Sequence, residues 1–187
     1  MVKTWSQPSD SEEQNRTVWA GYASLGWVII FLGFHVYWAF GGRFGLGDAI
    51  APLPAFPHSV GAWLFTIIVF AMFVLGIIVP LAIVQSWGPG LPRWMLLIAC
   101  WIGSIVLIVR AVASMIDDFS RLTGILPNGL TGMTYAQITG DSQISAYTLW
   151  SGRGIDVYFL LGGILYGIAA WNYAQQKRRT KRFSLDL

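Results

Sequence analysis

Arg110, Ser114 and Asp117 are the side chains whose spacing most suggests a site. Separations of four and three residues place them along one face of a helix. Arg110 is the only charge in the apolar run 94–116. An ionised side chain inside a bilayer costs roughly 3 to over 10 kcal/mol if nothing pairs with it or hydrates it. We therefore expect a carboxylate partner for Arg110, either Asp117 or Asp156. Three roles of Arg110 remain open: it could pair with a carboxylate as a structural contact, extend to the lipid headgroups, or act directly in function.

Other polar side chains are predicted at about the same level. His35 lies about 8 Å, and Arg110 about 9 Å, inside the ends of their apolar runs, at 1.5 Å of rise per residue. Tyr37 and Arg43 end the first run, and Asp156 opens the fourth. We expect one polar cluster, structural or ligand-binding, comprising His35, Tyr37, Arg43, Arg110, Ser114, Asp117, Asp156 and Tyr158.

The elements that carry these residues follow from the composition. The chain has 187 residues, 55% hydrophobic and 11% charged, whereas soluble domains carry about 25% charged residues. A membrane-spanning helix needs about 20 apolar residues, and continuous apolar runs predict helices, because a barrel shows alternating segments of about ten residues. The composition thus predicts an all-α integral membrane four-helix bundle, with spans at residues 18–40, 61–84, 94–116 and 155–173.

The remaining segments are assigned around these spans. We predict an N-terminal tail at residues 1–17, a basic tail at 174–187, and a loop at 117–154 that contains a short helix near residues 135–144. With four spans, both ends lie on one side, which then holds eight of the twelve lysines and arginines against three opposite. The preference of basic residues for the cytoplasm therefore predicts cytoplasmic ends and an outer 117–154 loop.

Two further features concern packing and thiol chemistry. Gly163 and Gly167 form a G-x-x-x-G pattern in the fourth span, which permits close helix approach. Cys100 is the only cysteine, so no intrachain disulfide can form, and its position within a span indicates a packing residue.

Several kinds of chemistry are disfavoured. No lysine lies in a predicted span, which excludes a retinal Schiff base, and the two histidines, His35 and His58, lie at different depths, which disfavours a bis-histidine haem. Metal-ligand and nucleophile motifs are absent from the sequence, so we predict no metal site and no catalytic residue. A bound lipid remains a cofactor candidate. Nucleic acid is not an expected partner, since five of the twelve basic residues lie between Lys177 and Arg182.

The segment 35–45, of the form H-x-Y-W-A-x-G-G-R-x-G, resembles the signature of a family of small bacterial four-span membrane proteins of unknown function. The start of the fourth span, with Asp156 and Tyr158, is similar to that family too. The resemblance implies that the residues of the segment work as a unit in a bacterial inner-membrane protein. Gly41 and Gly42 would let the chain turn back, and Arg43 would then reach the carboxylates.

Three functions remain open at this point. The first is a non-enzymatic accessory subunit or assembly factor of a larger membrane complex, which the lack of catalytic motifs and the long, weakly charged loop favour. Its partners would be lipids and other integral membrane subunits, or copies of this chain. The second is a small-solute or proton-coupled transporter that uses the polar cluster. The third is a membrane enzyme for a lipid or quinone-like substrate, with His35 as base and Arg110 as anion anchor.

Overall fold

Long helices make up most of the protein. The structure, a computed structural model, describes residues 10–48, 59–139 and 144–183, with side chains at 15–48, 59–139 and 144–175. The helices are α1 (Asp10–Ala39), α2 (Val60–Val84), α3 (Arg93–Leu122), α4 (Tyr135–Thr139) and α5 (Ala146–Phe183), and a 3-10 turn, Gly88–Gly90, joins α2 to α3. The four long helices are each long and apolar enough to cross a membrane.

Four helix boundaries differ by more than one residue from the predicted spans. α3 continues six residues beyond the predicted end at Ile116, and α5 begins at Ala146, nine residues before the predicted start. The predicted 117–154 loop is therefore reduced to residues 123–145, within which α4 is the short helix expected there. α1 already begins at Asp10 and α5 extends to Phe183, so both predicted tails are helical in part.

The four long helices form a four-cornered bundle in which neighbours pack around the ring, and α2 also contacts α5 across it, where the Tyr166 hydroxyl donates to the Gly76 carbonyl at 2.5 Å. α3 and α5 form the most extensive contact, α1 packs against α2 and α5, and α2 packs against α3. α1 and α3 consequently stand at opposite corners. The core of buried residues contains Trp27, Val28, Val79, Ala82, Leu96, Cys100, Tyr166 and Ala170.

The two ends of the bundle differ. At one end, here called the long-loop end, lie the segments 40–48, 123–139 and 144–145. At the other, the short-turn end, residues 85–92 connect α2 to α3. Gly88 is required in this turn, because a Cβ there would lie 1.7 Å from the Ala82 carbonyl oxygen.

The contact of α3 with α5 depends on small residues. A Cβ on Gly163 would lie 3.0 Å from the Ser104 carbonyl oxygen and 2.6 Å from Ile108 Cγ1, and one on Gly167 would lie 3.0 Å from Ser104 Oγ. The Ser104 hydroxyl donates to the Gly163 carbonyl at 2.7 Å. The G-x-x-x-G pattern thus lies at a close helix approach, with a hydrogen bond in place of side-chain packing.

Candidate functional site

Arg110 on α3 is paired with Asp156 on α5. Its Nη1 donates to Asp156 Oδ1 at 2.8 Å, and the Ser114 hydroxyl, one turn further along α3, donates to Asp156 Oδ2 at 2.8 Å. Both carboxylate oxygens are therefore satisfied by one face of α3. The Asp156 side chain is buried, with 8% exposed, whereas 45% of the Arg110 side chain is exposed. The sequence predicts Asp156 at the start of the fourth helix, but it lies ten residues after the start of α5.

Aromatic rings separate Arg110 from His35. The Arg110 guanidinium carbon lies 3.9 Å from the centre of the Phe159 ring, in a cation–π contact. Phe159 meets Phe31 at 5.1 Å between centroids, and Phe31 meets His35 at 4.3 Å. His35 Nδ1 lies 2.9 Å from the Phe31 carbonyl oxygen, one turn back on α1. Of the predicted polar cluster, the structure brings Arg110, Ser114 and Asp156 together, whereas His35 lies apart from them because α1 and α3 occupy opposite corners.

Tyr158 belongs to a separate pair with Trp27. The Trp27 indole N–H donates to the Tyr158 carbonyl at 2.8 Å, and the Tyr158 hydroxyl donates to the Trp27 carbonyl at 2.5 Å. Their rings are stacked, with centroids 5.0 Å apart. A Cβ on Gly162 would lie 2.3 Å from the same indole. Tyr158 therefore joins α1 to α5, and its hydroxyl is committed to that contact.

Asp117 pairs with Arg121 at the long-loop end. Arg121 Nε donates to Asp117 Oδ2 at 2.8 Å, and its other nitrogens donate to Thr131 Oγ1 and to the Met133 carbonyl. Only 1% of the Arg121 side chain is exposed. Gly129 has φ +60°, and a Cβ there would lie 2.2 Å from Asp117 Oδ1. This ion pair fixes the loop after α3, so Asp117 is not the partner of Arg110.

A third ion pair lies beside the second. Arg153 on α5 donates through Nε to Asp118 Oδ2 at 2.9 Å, and the Tyr135 hydroxyl donates to Asp118 Oδ1. Burial, and then the hydrogen bond to Asp118, raise the pKa of Tyr135 to about 12. The Arg121 guanidinium lies 5.1 Å from the Tyr135 ring centre. Together the two pairs join α3, α4 and α5.

The segment 35–45 forms a folded turn. Gly41 N–H donates to the Trp38 carbonyl at 2.9 Å, and Gly42 N–H donates to the Tyr37 carbonyl at 3.0 Å. With Gly41 at φ +88°, this is a Schellman ending of α1. A Cβ on Gly42 would lie 2.2 Å from the Tyr37 ring. The glycines thus turn the chain back, as the resemblance implied.

The turn is tied to α1 and to α5. The Trp38 indole N–H donates to the Phe44 carbonyl at 2.9 Å. Gly45 N–H donates to the Tyr147 hydroxyl at 2.9 Å, and Asp48 N–H donates to Thr148 Oγ1 at 3.0 Å. Arg43 is exposed and forms no ion pair within the described residues, so it does not reach the carboxylates as the resemblance implied.

Two cavities flank this turn, each of about 370 Å³. One lies along the α1 face that carries Ile30, Gly33 and Tyr37. The other lies between α1 and α5 and is lined largely by aromatic residues, including Trp38, Trp150 and Tyr158. Phe34 and Phe44 line both cavities. They are referred to below as the α1 groove and the α1–α5 groove.

The described polar side chains form ion pairs and hydrogen bonds that connect helices and loops. Among the described side chains, no buried nitrogen or oxygen lacks a hydrogen-bond partner. The same part of the chain holds no cluster of three His, Cys, Asp or Glu side chains suited to a metal ion. His58 lies outside the described residues.

The residues that the sequence reasoning missed are Asp118, Arg121 and Arg153. The signal for Arg121 was its spacing of four from Asp117, which is typical of a helical ion pair. It was overlooked because the charges at 117 and 118 were taken to end α3. Arg153 precedes the apolar run that predicts the fourth span at 155–173, so the sequence predicts a loop there.

These features define an all-helical protein with four helices of membrane-spanning length. Residues 28–136, more than half of the chain, match the family described as protein of unknown function DUF3995, and the chain belongs to that family. The match includes the segment 35–45 and Arg110 but ends before Asp156. No curated protein and no solved structure matches the chain.

Proposed function

We propose that the protein is a non-enzymatic accessory subunit or assembly factor of a larger complex in the bacterial inner membrane, with both ends cytoplasmic. The observation that carries this proposal is the half-exposed guanidinium of Arg110. It lies seven residues, about 10 Å along α3, from the charged position Asp117, towards the middle of the candidate span 93–122.

The Arg110 guanidinium has hydrogen-bonding capacity left over. Nη1 donates to Asp156, but Nε and Nη2 make no hydrogen bond to any described residue. Hydrocarbon offers no acceptor, and an arginine in a span is costly unless its polar groups are satisfied. A neighbouring transmembrane helix that carries a carboxylate, an amide or an accessible carbonyl would supply the acceptor. Because Asp156 already balances the charge of Arg110, we expect the partner helix to be neutral or weakly acidic at this position, and not strongly acidic.

The internal pairing of the other polar groups supports a subunit over an enzyme or a transporter. Asp117, Asp118 and Asp156 all accept hydrogen bonds within the chain. The two grooves flank the segment 40–45 and are lined by apolar residues, and Arg110 lines neither of them. A proton pathway or a reaction at Arg110 would have to displace these bonds.

A photocrosslinking experiment in native membranes tests the proposal. A photoreactive residue at Val109, which is 60% exposed and adjacent to Arg110, is compared with one at Met72 on α2, which is 51% exposed. We expect a crosslink of defined mass to a second membrane protein from position 109, lost when Arg110→Leu is added, and no such product from position 72.

Other results would contradict the subunit proposal. A product of twice the chain's own mass would assign the surface to a homo-oligomer. Purification in mild detergent that yields only this chain, at monomer mass, would also count against it. Solute flux in proteoliposomes that Arg110→Ala and His35→Ala abolish would favour the transporter instead.

A further inference from the structure

Two aromatic side chains form a ridge at the long-loop end of α1. Phe34 projects from the helix and Phe44 from the turn that follows it, and both border the α1 groove and the α1–α5 groove. Phe44 is 66% exposed, so the ridge is not covered by another described segment. The two grooves therefore run side by side with a shared wall, and each has a volume of about 370 Å³.

Both grooves are elongated along the helices. On α1, the α1 groove extends from Ile30 to Tyr37, about 10 Å at 1.5 Å per residue. On α5, the α1–α5 groove extends from Tyr147 to Tyr158, about 16 Å. Because α1 and α5 are candidate membrane spans, this direction is also that of lipid acyl chains.

The residue before Phe44 in the chain is a cation. Arg43 directly precedes Phe44, is exposed, and forms no hydrogen bond or ion pair through its side chain with any described residue. The hydrogen bonds from Trp38 to Phe44 and from Gly45 to Tyr147 hold the backbone on which Arg43 sits. An exposed, unpaired arginine next in the chain to a residue that lines both apolar grooves suits an amphiphile with two chains and one anionic headgroup.

We propose that an anionic diacyl phospholipid straddles the Phe34–Phe44 ridge, with one acyl chain in each groove and its phosphate beside Arg43. Each acyl chain buries methylene groups against aromatic walls, which supplies the binding free energy. Arg43 supplies the preference for an anionic headgroup at the membrane surface. This site is independent of Arg110 and of any protein partner.

Binding of defined lipids to the delipidated full chain in detergent tests the proposal, with adducts counted by native mass spectrometry. The probes are dioleoyl phosphatidylglycerol, oleoyl lysophosphatidylglycerol with a single chain, and dioleoyl phosphatidylcholine. We expect one tightly retained phosphatidylglycerol per chain. The single-chain lipid should bind at least about tenfold more weakly, because it fills only one groove. Phosphatidylcholine should bind about fivefold more weakly, since its headgroup carries no net negative charge.

Glycines in the grooves allow each groove to be filled separately. Gly33 borders the α1 groove and Gly154 the α1–α5 groove, and a Cβ on either meets no atom within 4 Å. Gly33→Leu and Gly154→Leu should each weaken phosphatidylglycerol binding about tenfold. Gly26→Leu on α1 and Gly152→Leu on α5 are matched controls, because those positions are equally open but border neither groove. Both should bind as the unaltered chain does.

The headgroup contact is tested by Arg43→Gln, which should lower phosphatidylglycerol affinity about fivefold and phosphatidylcholine affinity less, because the choline cation already offsets the phosphate charge. Equal binding of the diacyl and single-chain lipids would overturn the proposal, and so would equal binding of the two headgroups. Groove variants that bind like their controls would do the same. The lipid comparison uses the unaltered chain, so the test stands even if a variant fails to fold.

Discussion

Trp27 and Tyr158 each donate a hydrogen bond to the other's main-chain carbonyl. The indole N–H of Trp27 lies 2.8 Å from the Tyr158 oxygen, and the Tyr158 hydroxyl lies 2.5 Å from the Trp27 oxygen. The two rings stack between these bonds, with 20° between their planes. α1 and α5 are thus held at a fixed height relative to each other, which also sets the shape of the groove between them.

Tyr158→Phe should destabilise the protein by about 0.6 kcal/mol, the average for a hydrogen bond between membrane helices, and by no more than about 1.7 kcal/mol. The substitution removes the hydroxyl but keeps the stacked ring. Reversible unfolding by SDS in mixed micelles measures the change. Tyr22→Phe is the control, because Tyr22 is 49% exposed and its hydroxyl makes no hydrogen bond to a described residue. Equal stability of the two variants would show that the cross-helix bond contributes nothing.

Arg110→Leu and Asp156→Leu should show a coupling free energy of about 1–2 kcal/mol in a double-mutant cycle. This lies within the range for residues in contact, and the 45% exposure of Arg110 keeps it below the values for fully buried pairs. Each single variant leaves one ionisable group without its partner, whereas the double variant leaves neither. Unfolding free energies of all four proteins provide the measurement. Additive losses would indicate that Arg110 gains nothing from the carboxylate.

Gly163→Ala should cost about 1–3 kcal/mol, because the added methyl group overpacks a closed contact. Its nearest neighbours include the Ser104 carbonyl oxygen and the Ile108 amide nitrogen, which are main-chain atoms that cannot rotate away. Gly152→Ala on the same helix is the matched control, since a Cβ there meets nothing within 4 Å and should be neutral or stabilising. The same unfolding assay separates the two, and similar stability of the two variants would contradict the close contact.

Tyr135 should titrate with a midpoint near pH 12, later than an exposed tyrosine. Since its folded-state pKa lies above the ordinary tyrosine pKa of 10.0, its contribution to stability is fully present below pH 10 and is lost as pH rises through about 12. The difference in tyrosinate absorbance between the unaltered protein and Tyr135→Phe isolates this residue. A midpoint at pH 10 would show that burial and Asp118 have no effect on it.

The four spans were predictable from the sequence because their apolar runs leave helices as the only economical structure in a membrane. α2 starts at Val60, one residue from the predicted start, and ends at the predicted residue. The end of α3 was predicted poorly, because a charged pair such as Asp117 and Asp118 marks a membrane boundary as readily as a helix end. The helix continues since Asp117 and Arg121 pair one turn apart.

The start of α5 was missed for a different reason. The prediction starts the span where the apolar run begins, at residue 155, but α5 begins earlier, where tertiary contacts hold it: Tyr147 and Thr148 bind the turn after α1, and Arg153 binds Asp118. Such contacts depend on residues about 100 and 35 positions away. The sequence predicts the depth of each residue along its helix. It does not predict which helices are neighbours in the bundle. For that reason His35 and Arg110 were expected in one cluster.

The pair Arg110–Asp156 joins residues 46 positions apart in the chain. At about 5–20 residues per second, ribosomes need roughly 2–9 s to add that stretch. During biogenesis α3 is therefore complete before Asp156, the counter-ion of Arg110, has been synthesised. Until α5 follows, Arg110 lies in the translocon or beside another helix without its carboxylate. Because α5 follows α3 in the chain, insertion of α5 is the step at which Asp156 neutralises the charge of Arg110.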